Sequence, residues 1–207
     1  MRLGLVGMLV AAACTRPAPA PPAPAPLPTE PVARAQALLA RDATVGELTA
    51  AYDAAARAAP KNADVQFRVG VLAQLRGDPV RAAKAYRQAI RLDPRHAGAS
   101  NNLGTLALAQ RRTGDAAVDF ARAAALRPEN PVPLANLAMI SAKIGETADA
   151  LDLLLRAQAL LAKTNPPVAA WIVGIQRSLD AVSREVPYPK RLESRVEPRT
   201  GFVLLSY

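Results

Sequence analysis

Residues 63–96 read ADVQFRVGVLAQLRGDPVRAAKAYRQAIRLDPRH, and the pattern returns when the chain is shifted by 34 residues. Gly70 then falls on Gly104, and Tyr86 falls on Phe120. The repeated columns are Gly70 with Gly104; Ala82 with Ala116 and Ala150; Tyr86 with Phe120 and Leu154; Ala89 with Ala123 and Ala157; and Pro94 with Pro128. Tyr52, Ala55 and Pro60 stand one period earlier. Several columns in one register indicate repetition of one supersecondary unit.

Each column has a physical reason. Glycine inside a helix costs about 1 kcal/mol relative to alanine, so Gly70 predicts a close approach of two helices, with Ala138 in the same role later. Tyr86 fills the space between successive units, and Pro94 prevents the second helix from continuing. We expect turns at Arg76-Gly77-Asp78, Thr113-Gly114-Asp115 and Ile144-Gly145-Glu146.

The columns match the signature of the tetratricopeptide-repeat family, which the chain therefore resembles. That resemblance implies an all-α fold, a solenoid of helix–turn–helix units with about 3.5–4 repeats. We place the units at 29–62, 63–96, 97–130 and 131–164, followed by a capping helix over 166–185. The first unit is degenerate, with Gln36 in the glycine column. The repeat domain is predicted to span 32–185.

Composition argues against most catalytic chemistry. Hydrophobic residues make up 51% of the chain and aromatic residues only 4%, so small apolar residues dominate. One cysteine and one histidine exclude a disulfide framework and an ordinary zinc site. No nucleophile elbow, phosphate loop or dinucleotide fingerprint occurs. We expect no enzyme activity, metal or cofactor.

The net charge of +9 permits binding of acidic partners. No aromatic residues interleave the basic ones, which disfavours nucleic acid as a partner.

The N-terminus resembles a bacterial lipoprotein signal. Arg2 precedes an apolar run that is too short to span a bilayer and ends in small residues directly before Cys14. The resemblance implies a signal peptide over 1–13 and lipidation of Cys14; an ordinary secretory signal or an incidental hydrophobic end are the alternatives. Residues 14–31 form a Pro/Ala-rich segment that favours polyproline II, a tether rising about 3.1 Å per residue.

The family resemblance also implies a concave groove, lined by the first helix of each unit, for a protein or peptide partner. Carried onto this chain, the groove positions are Asp64, Phe67, Val71, Gln74, Leu75, Asn101, Thr105, Leu108, Val132, Met139 and Lys143. Most are apolar and a few are amides, which suits either an amphipathic helix or an extended apolar peptide. The apolar ones could equally pack within the array.

Residues 186–207 are basic, contain prolines and end GFVLLSY. This tail is open to disorder, to folding back, or to adding a strand to a partner.

The layout of the whole chain is similar to that of outer-membrane tetratricopeptide lipoproteins such as the pilotins of type IV pilus secretins. The expected function is that of a membrane-anchored scaffold or adaptor in cell-envelope assembly, on the periplasmic face of the outer membrane. The alternatives are a soluble periplasmic peptide binder, an accessory subunit of an envelope enzyme, and anchoring on the outer face of the plasma membrane.

Overall fold

The computed structural model describes residues 26–163, 176–181, 183–184, 193–196, 201 and 203–206. The elements are α1 (Pro31–Leu39), α2 (Val45–Ala58), α3 (Ala63–Leu75), α4 (Pro79–Leu92), α5 (Ala97–Ala109), α6 (Thr113–Leu126), α7 (Pro131–Lys143), α8 (Thr147–Lys163), β1 (Glu193–Val196) and β2 (Val203–Ser206). Residues 176–181 are also helical. The predicted signal peptide 1–13, Cys14 and the tether up to residue 25 lie outside the described residues.

Helices α1 to α8 pack as four consecutive helix–turn–helix pairs, which confirms the predicted all-α solenoid. Each odd-numbered helix packs most extensively against the helix that follows it, and each pair then packs on the next. Hydrophobic clusters run along the array from the α1–α2 pair to the α7–α8 pair rather than forming a single central core. This arrangement is typical of repeat proteins, in which each unit contacts only its neighbours.

Side-chain caps begin several of the helices where the repeat register places them. The Asn62 carboxamide oxygen accepts a hydrogen bond from the Val65 amide at 3.1 Å, and the Asp78 carboxylate accepts one from the Arg81 amide at 2.9 Å. At the start of α2, Thr44 and Glu47 form a reciprocal capping box. Such caps satisfy amide groups that lack a partner within the helix.

The turn between α5 and α6 differs from the sequence prediction. Thr113 begins α6 and Gly114 lies inside it, so Thr113-Gly114-Asp115 is not the turn. The left-handed residue is Arg111, with φ 61°, one period from Gly77 and Gly145, whose φ values are 75° and 87°. The prediction was wrong because glycine is the usual residue at such a position, and the 34-residue register here brings an arginine to it.

The glycine column does bring paired helices together, as predicted. A Cβ placed on Gly70 would lie 2.5 Å from Cε1 of Tyr86, and one on Gly104 would lie 2.7 Å from Cε1 of Phe120. Both rings are fully buried. In the fourth unit the same two columns hold Ala138 and Leu154, also fully buried. Glycine therefore accompanies the flat aromatic ring, and alanine accompanies the smaller leucine.

The two ends of the array show how it closes. In α1 the buried residue is Ala35, whereas Gln36, which occupies the glycine column, is exposed. Ala35 stands one period before Val69, which is also buried, so the first unit departs from the repeat at the glycine column. At the other end, Leu179 packs against the cluster of the α7–α8 pair. Trp171, Ile175 and Val182 of the predicted capping helix lie outside the described residues, so its full extent stays a prediction.

The described part of the C-terminal tail folds back on the array. β1 and β2 pair as an antiparallel hairpin, with Val196 opposite Val203 and Glu193 opposite Ser206. β2 lies against α7 and α5. Of the alternatives for this segment, folding back is the one that its described residues adopt.

Candidate partner-binding groove

Three buried asparagines lie on the face that β2 covers. Asn101 and Asn102 are on α5 and Asn136 is on α7, and all three have no exposed surface. We call the face formed by α3, α5 and α7 the groove. Asparagine is a poor helix former because its side chain competes for main-chain hydrogen bonds. Its presence in helix interiors, buried, therefore requires partners for each amide group.

Within the groove the amides are held by one another and by a tyrosine. Asn136 Nδ2 donates to Asn101 Oδ1 at 2.9 Å, and Asn101 Nδ2 donates to Asn102 Oδ1 at 3.0 Å. Asn102 Nδ2 donates to the Tyr86 hydroxyl at 3.2 Å, and that hydroxyl donates to Gln74 Oε1 at 2.8 Å. One N–H of each asparagine is thereby used to fix its orientation.

The second N–H of each asparagine points to the main chain of the tail. Asn101 Nδ2 and Asn136 Nδ2 both donate to the Val203 carbonyl, at 3.0 and 2.7 Å. Asn102 Nδ2 donates to the Gly201 carbonyl at 2.7 Å, and Asn102 Oδ1 accepts from the Val203 amide at 2.9 Å. The groove therefore binds both main-chain donors and acceptors of an extended segment.

Burial sets the protonation of the tyrosine that supports this network. Desolvation raises the pKa of Tyr86 far above its ordinary value, and the hydrogen bond from Asn102 opposes that rise only partly. The phenol therefore stays protonated into the alkaline range in which an exposed tyrosine ionises. It remains able to donate to Gln74 while it accepts from Asn102, which keeps the Asn102 carboxamide in one orientation.

Two tail residues fit the groove closely. Val203 is 1% exposed and belongs to the hydrophobic cluster of Ala107, Leu108, Phe120 and Ile140. Gly201 has φ 76°, and a Cβ placed on it would lie 3.0 Å from Cε1 and Cζ of Phe67. A side chain at position 201 would thus be strained by its backbone and crowded by a buried ring.

The predicted groove positions fall into three groups. Gln74, Asn101 and Thr105 join the polar network, because Gln74 Nε2 also donates to Thr105 Oγ1 at 3.3 Å. Buried apolar positions are Phe67, Val71, Leu108, Val132 and Met139. Exposed positions are Leu75, Lys143 and Asp64, whose carboxylate lies 3.3 Å from His96 Nε2. Contact of any of them with a separate partner stays a prediction.

Sequence reasoning missed Asn102, Asn136 and the role of the Tyr86 hydroxyl. A signal was present, because Asn102 falls on Asn136 at the same 34-residue shift. Repetition of a weak helix former at one helix-interior column has no explanation in packing alone. The column of Asn102 and Asn136 therefore indicates a functional or structural role, as the glycine and aromatic columns do.

Metal-binding clusters and membrane-spanning helices are absent from the described ranges. In that part of the chain, no cluster of three histidine, cysteine or acidic residues could hold a metal ion. Among the same residues, no helix has both the length and the apolar character needed to cross a bilayer.

The family comparison identifies the repeat. The family model described as "Tetratricopeptide repeat" matches residues 43–93 and 70–131, which include the Gly70 and Gly104 columns. No curated protein matches the chain in sequence.

Solved structures share the fold at low identity. The Cut9–Hcn1 hetero-tetramer of APC/C matches with a TM-score of 0.67 and 17% identity over 75% of this chain; the match spans only 29% of that chain. PilF of Pseudomonas aeruginosa matches with a TM-score of 0.56 and 22% identity, over 75% of this chain and 71% of that one. The TPR2B domain of yeast Sti1, in complex with an Hsp70 peptide, matches with a TM-score of 0.54 and 22% identity, over 59% and 97%. These likenesses concern the fold alone.

Proposed function

We propose that this chain, which is a tetratricopeptide-repeat protein, is a membrane-anchored scaffold that holds a partner protein in the groove of α3, α5 and α7. The observation that carries the proposal is the asparagine network of Asn101, Asn102 and Asn136. Three amides that bind main-chain groups of a strand form a site for a polypeptide, and no described group in the groove has the arrangement of a catalytic centre. The similar Sti1 domain, solved with an Hsp70 peptide, supports a peptide as the bound species.

The anchor is proposed from the N-terminal sequence. The residues MRLGLVGMLVAAAC combine a cation, an apolar run and small residues before Cys14, and the prolines after it suit an extended tether. A lipid on Cys14 would hold the repeat array close to a membrane, which raises its local concentration relative to membrane-bound partners. We place the protein in the cell envelope, on the periplasmic face of an outer membrane.

Binding is tested by cross-linked pull-down from envelopes with the full chain and Asn136→Leu. The leucine removes two N–H donors from the groove, so partners that need the groove should be depleted at least tenfold in the variant. Gln158→Leu is the matched control, because it also replaces a carboxamide side chain with leucine, at an exposed position on α8, and it should capture the wild-type set. Equal capture by all three proteins would contradict a role for the groove.

The anchor is tested separately with radiolabelled palmitate. The wild-type chain and Thr15→Ser should incorporate label and sediment with membranes, whereas Cys14→Ser should do neither. Absence of label from the wild-type chain would remove the anchor from the proposal. It would leave a soluble peptide-binding scaffold, the alternative that the groove alone supports.

A further inference from the structure

The tail occupies the groove in the way that a bound peptide would. The groove contributes three amide N–H donors and one carboxamide acceptor, and the tail satisfies them with the carbonyl groups of Gly201 and Val203 and the amide of Val203. Each of these tail atoms belongs to the main chain. Recognition of this kind tolerates many side chains, as in other cases where an extended strand is bound through its backbone.

An extended segment suits this site better than a helix does. A helix uses its own N–H and C=O groups internally, apart from its ends. A helix laid over Asn101, Asn102 and Asn136 would therefore bury their outward amide groups without partners, which is costly. A strand has unpaired main-chain groups along its edge, and these are what the asparagines require.

Two positions of the segment add selectivity. At position 201 the left-handed φ and the contact with Phe67 admit glycine and penalise any larger residue. Two residues later, the fully enclosed Val203 side chain sits in the cluster of Leu108, Phe120 and Ile140, which favours a small branched apolar residue. The groove thus selects glycine at position 201 and valine at position 203.

We propose that residues 201–206 are an intramolecular ligand of the groove, and that the external partner presents an extended segment of this Gly-x-Val type, which must displace the tail before it binds. The inference rests on the proposed function. The tail and the array belong to one chain. The effective concentration of the tail at the groove is therefore of the millimolar order. A four-residue strand in a two-stranded hairpin is marginal by itself, so the tail is held by the groove and can leave it.

The test uses the full chain and a fluorescein-labelled peptide of residues 193–207, followed by fluorescence anisotropy. In the wild type the tail competes with the peptide. In Gly201→Val the tail is expelled while every groove residue is intact, so the peptide should bind about tenfold more tightly. Gly114→Val is the matched control, since nothing lies within 4 Å of a Cβ there, and it should bind as the wild type does. Adding Asn102→Leu to Gly201→Val should abolish binding.

Peptide variants test the selectivity. A peptide with Gly201→Val or Val203→Asp should bind at least tenfold more weakly to the Gly201→Val chain than the native peptide. Hydrogen exchange gives an independent measure, because the Val203 amide should be protected in the wild type and in Gly114→Val and should exchange freely in Gly201→Val. Should Gly201→Val lose helix content, Val203→Asp in the full chain serves as the tail-release variant.

Three results would overturn the inference. The first is equal affinity of the peptide for the wild type and for the tail-release variants. The second is unchanged peptide affinity when Asn102→Leu is added to Gly201→Val. The third is a wild-type chain that sediments as a dimer and a Gly201→Val chain that sediments as a monomer. The last result would place the tail in the groove of a second copy. None of them bears on the pull-down with Asn136→Leu, so a failure here leaves the proposed scaffold function standing.

Discussion

Alanine at Gly104 should destabilise the array, although alanine is the better helix former. A Cβ at this position would lie 2.7, 2.8 and 3.1 Å from Cε1, Cδ1 and Cζ of Phe120. Non-bonded carbon atoms prefer about 3.5–4.0 Å, so the ring has to move by most of an ångström. Phe120 has no exposed surface, and the ring therefore cannot move without displacing α6.

The magnitude follows from two opposed effects. Overpacking a filled core costs about 1–3 kcal/mol, and replacing a helical glycine by alanine recovers about 1 kcal/mol. We expect Gly104→Ala to lower the free energy of unfolding by up to about 2 kcal/mol, with about 1 kcal/mol as the central value. The fourth unit combines alanine with leucine in these columns, at Ala138 and Leu154. Phe120→Leu should thus make room, and the double variant should be more stable than the sum of the single effects by about 1–2 kcal/mol.

Urea unfolding followed by circular dichroism measures all of these variants. Gly114→Ala is the control, because it makes the same exchange within α6 where a Cβ meets no atom. It should match the wild type or exceed it by up to about 1 kcal/mol. The reasoning is refuted if Gly104→Ala unfolds at the same urea concentration as Gly114→Ala, or if Gly104→Ala and Phe120→Leu are simply additive.

Three further predictions concern single residues. Arg111→Gly should raise the free energy of unfolding by about 1 kcal/mol, measured in urea, because glycine adopts φ 61° without strain; an unchanged midpoint would contradict this. Burial raises the pKa of Tyr86 above 10, so the unfolded chain loses that proton first and stability should fall as pH rises beyond about 10. Urea unfolding across this range should show a shallower fall for Tyr86→Phe, and equal slopes would speak against it. Thr44→Ala breaks the capping box with Glu47 and should cost about 1 kcal/mol with loss of helical circular dichroism, which an unaltered spectrum and midpoint would disprove.

The parts of the fold that the sequence predicts are those set by local, periodic interactions. Gly70 and Tyr86 are 16 residues apart, and the same separation joins Gly104 to Phe120, so each repeat supplies another instance of one contact. The array and its helix pairs follow from this. Arg111 was missed because the turn there lacks the residue type by which such turns are recognised. Gln36, in the glycine column of the degenerate first unit, is exposed, and α1 buries Ala35 instead.

The groove could be predicted only in part, because its contacts are neither local nor periodic. Asn101 was expected at a groove position from the family pattern, but its partner, Val203, is 102 residues away along the chain. The partner atom is a main-chain carbonyl, which every residue type has. No pattern of residue types marks a segment that is bound through such atoms, apart from the glycine at 201 that the close approach of Phe67 requires.

The buried asparagines favour a binding role for the groove. Hydrogen bonds between neutral groups contribute only about 1 kcal/mol each to folding, whereas well-packed apolar residues at the same positions cost nothing in desolvation. An array selected for stability alone would place apolar residues at these columns, as the chain does at Phe67 and Ala135, one period before and one period after Asn101. The chain instead places asparagine at both 102 and 136, holds the first with a buried tyrosine, and directs the remaining N–H groups outward. That arrangement weakens the helices but binds an extended main chain, and its own tail is the nearest one available.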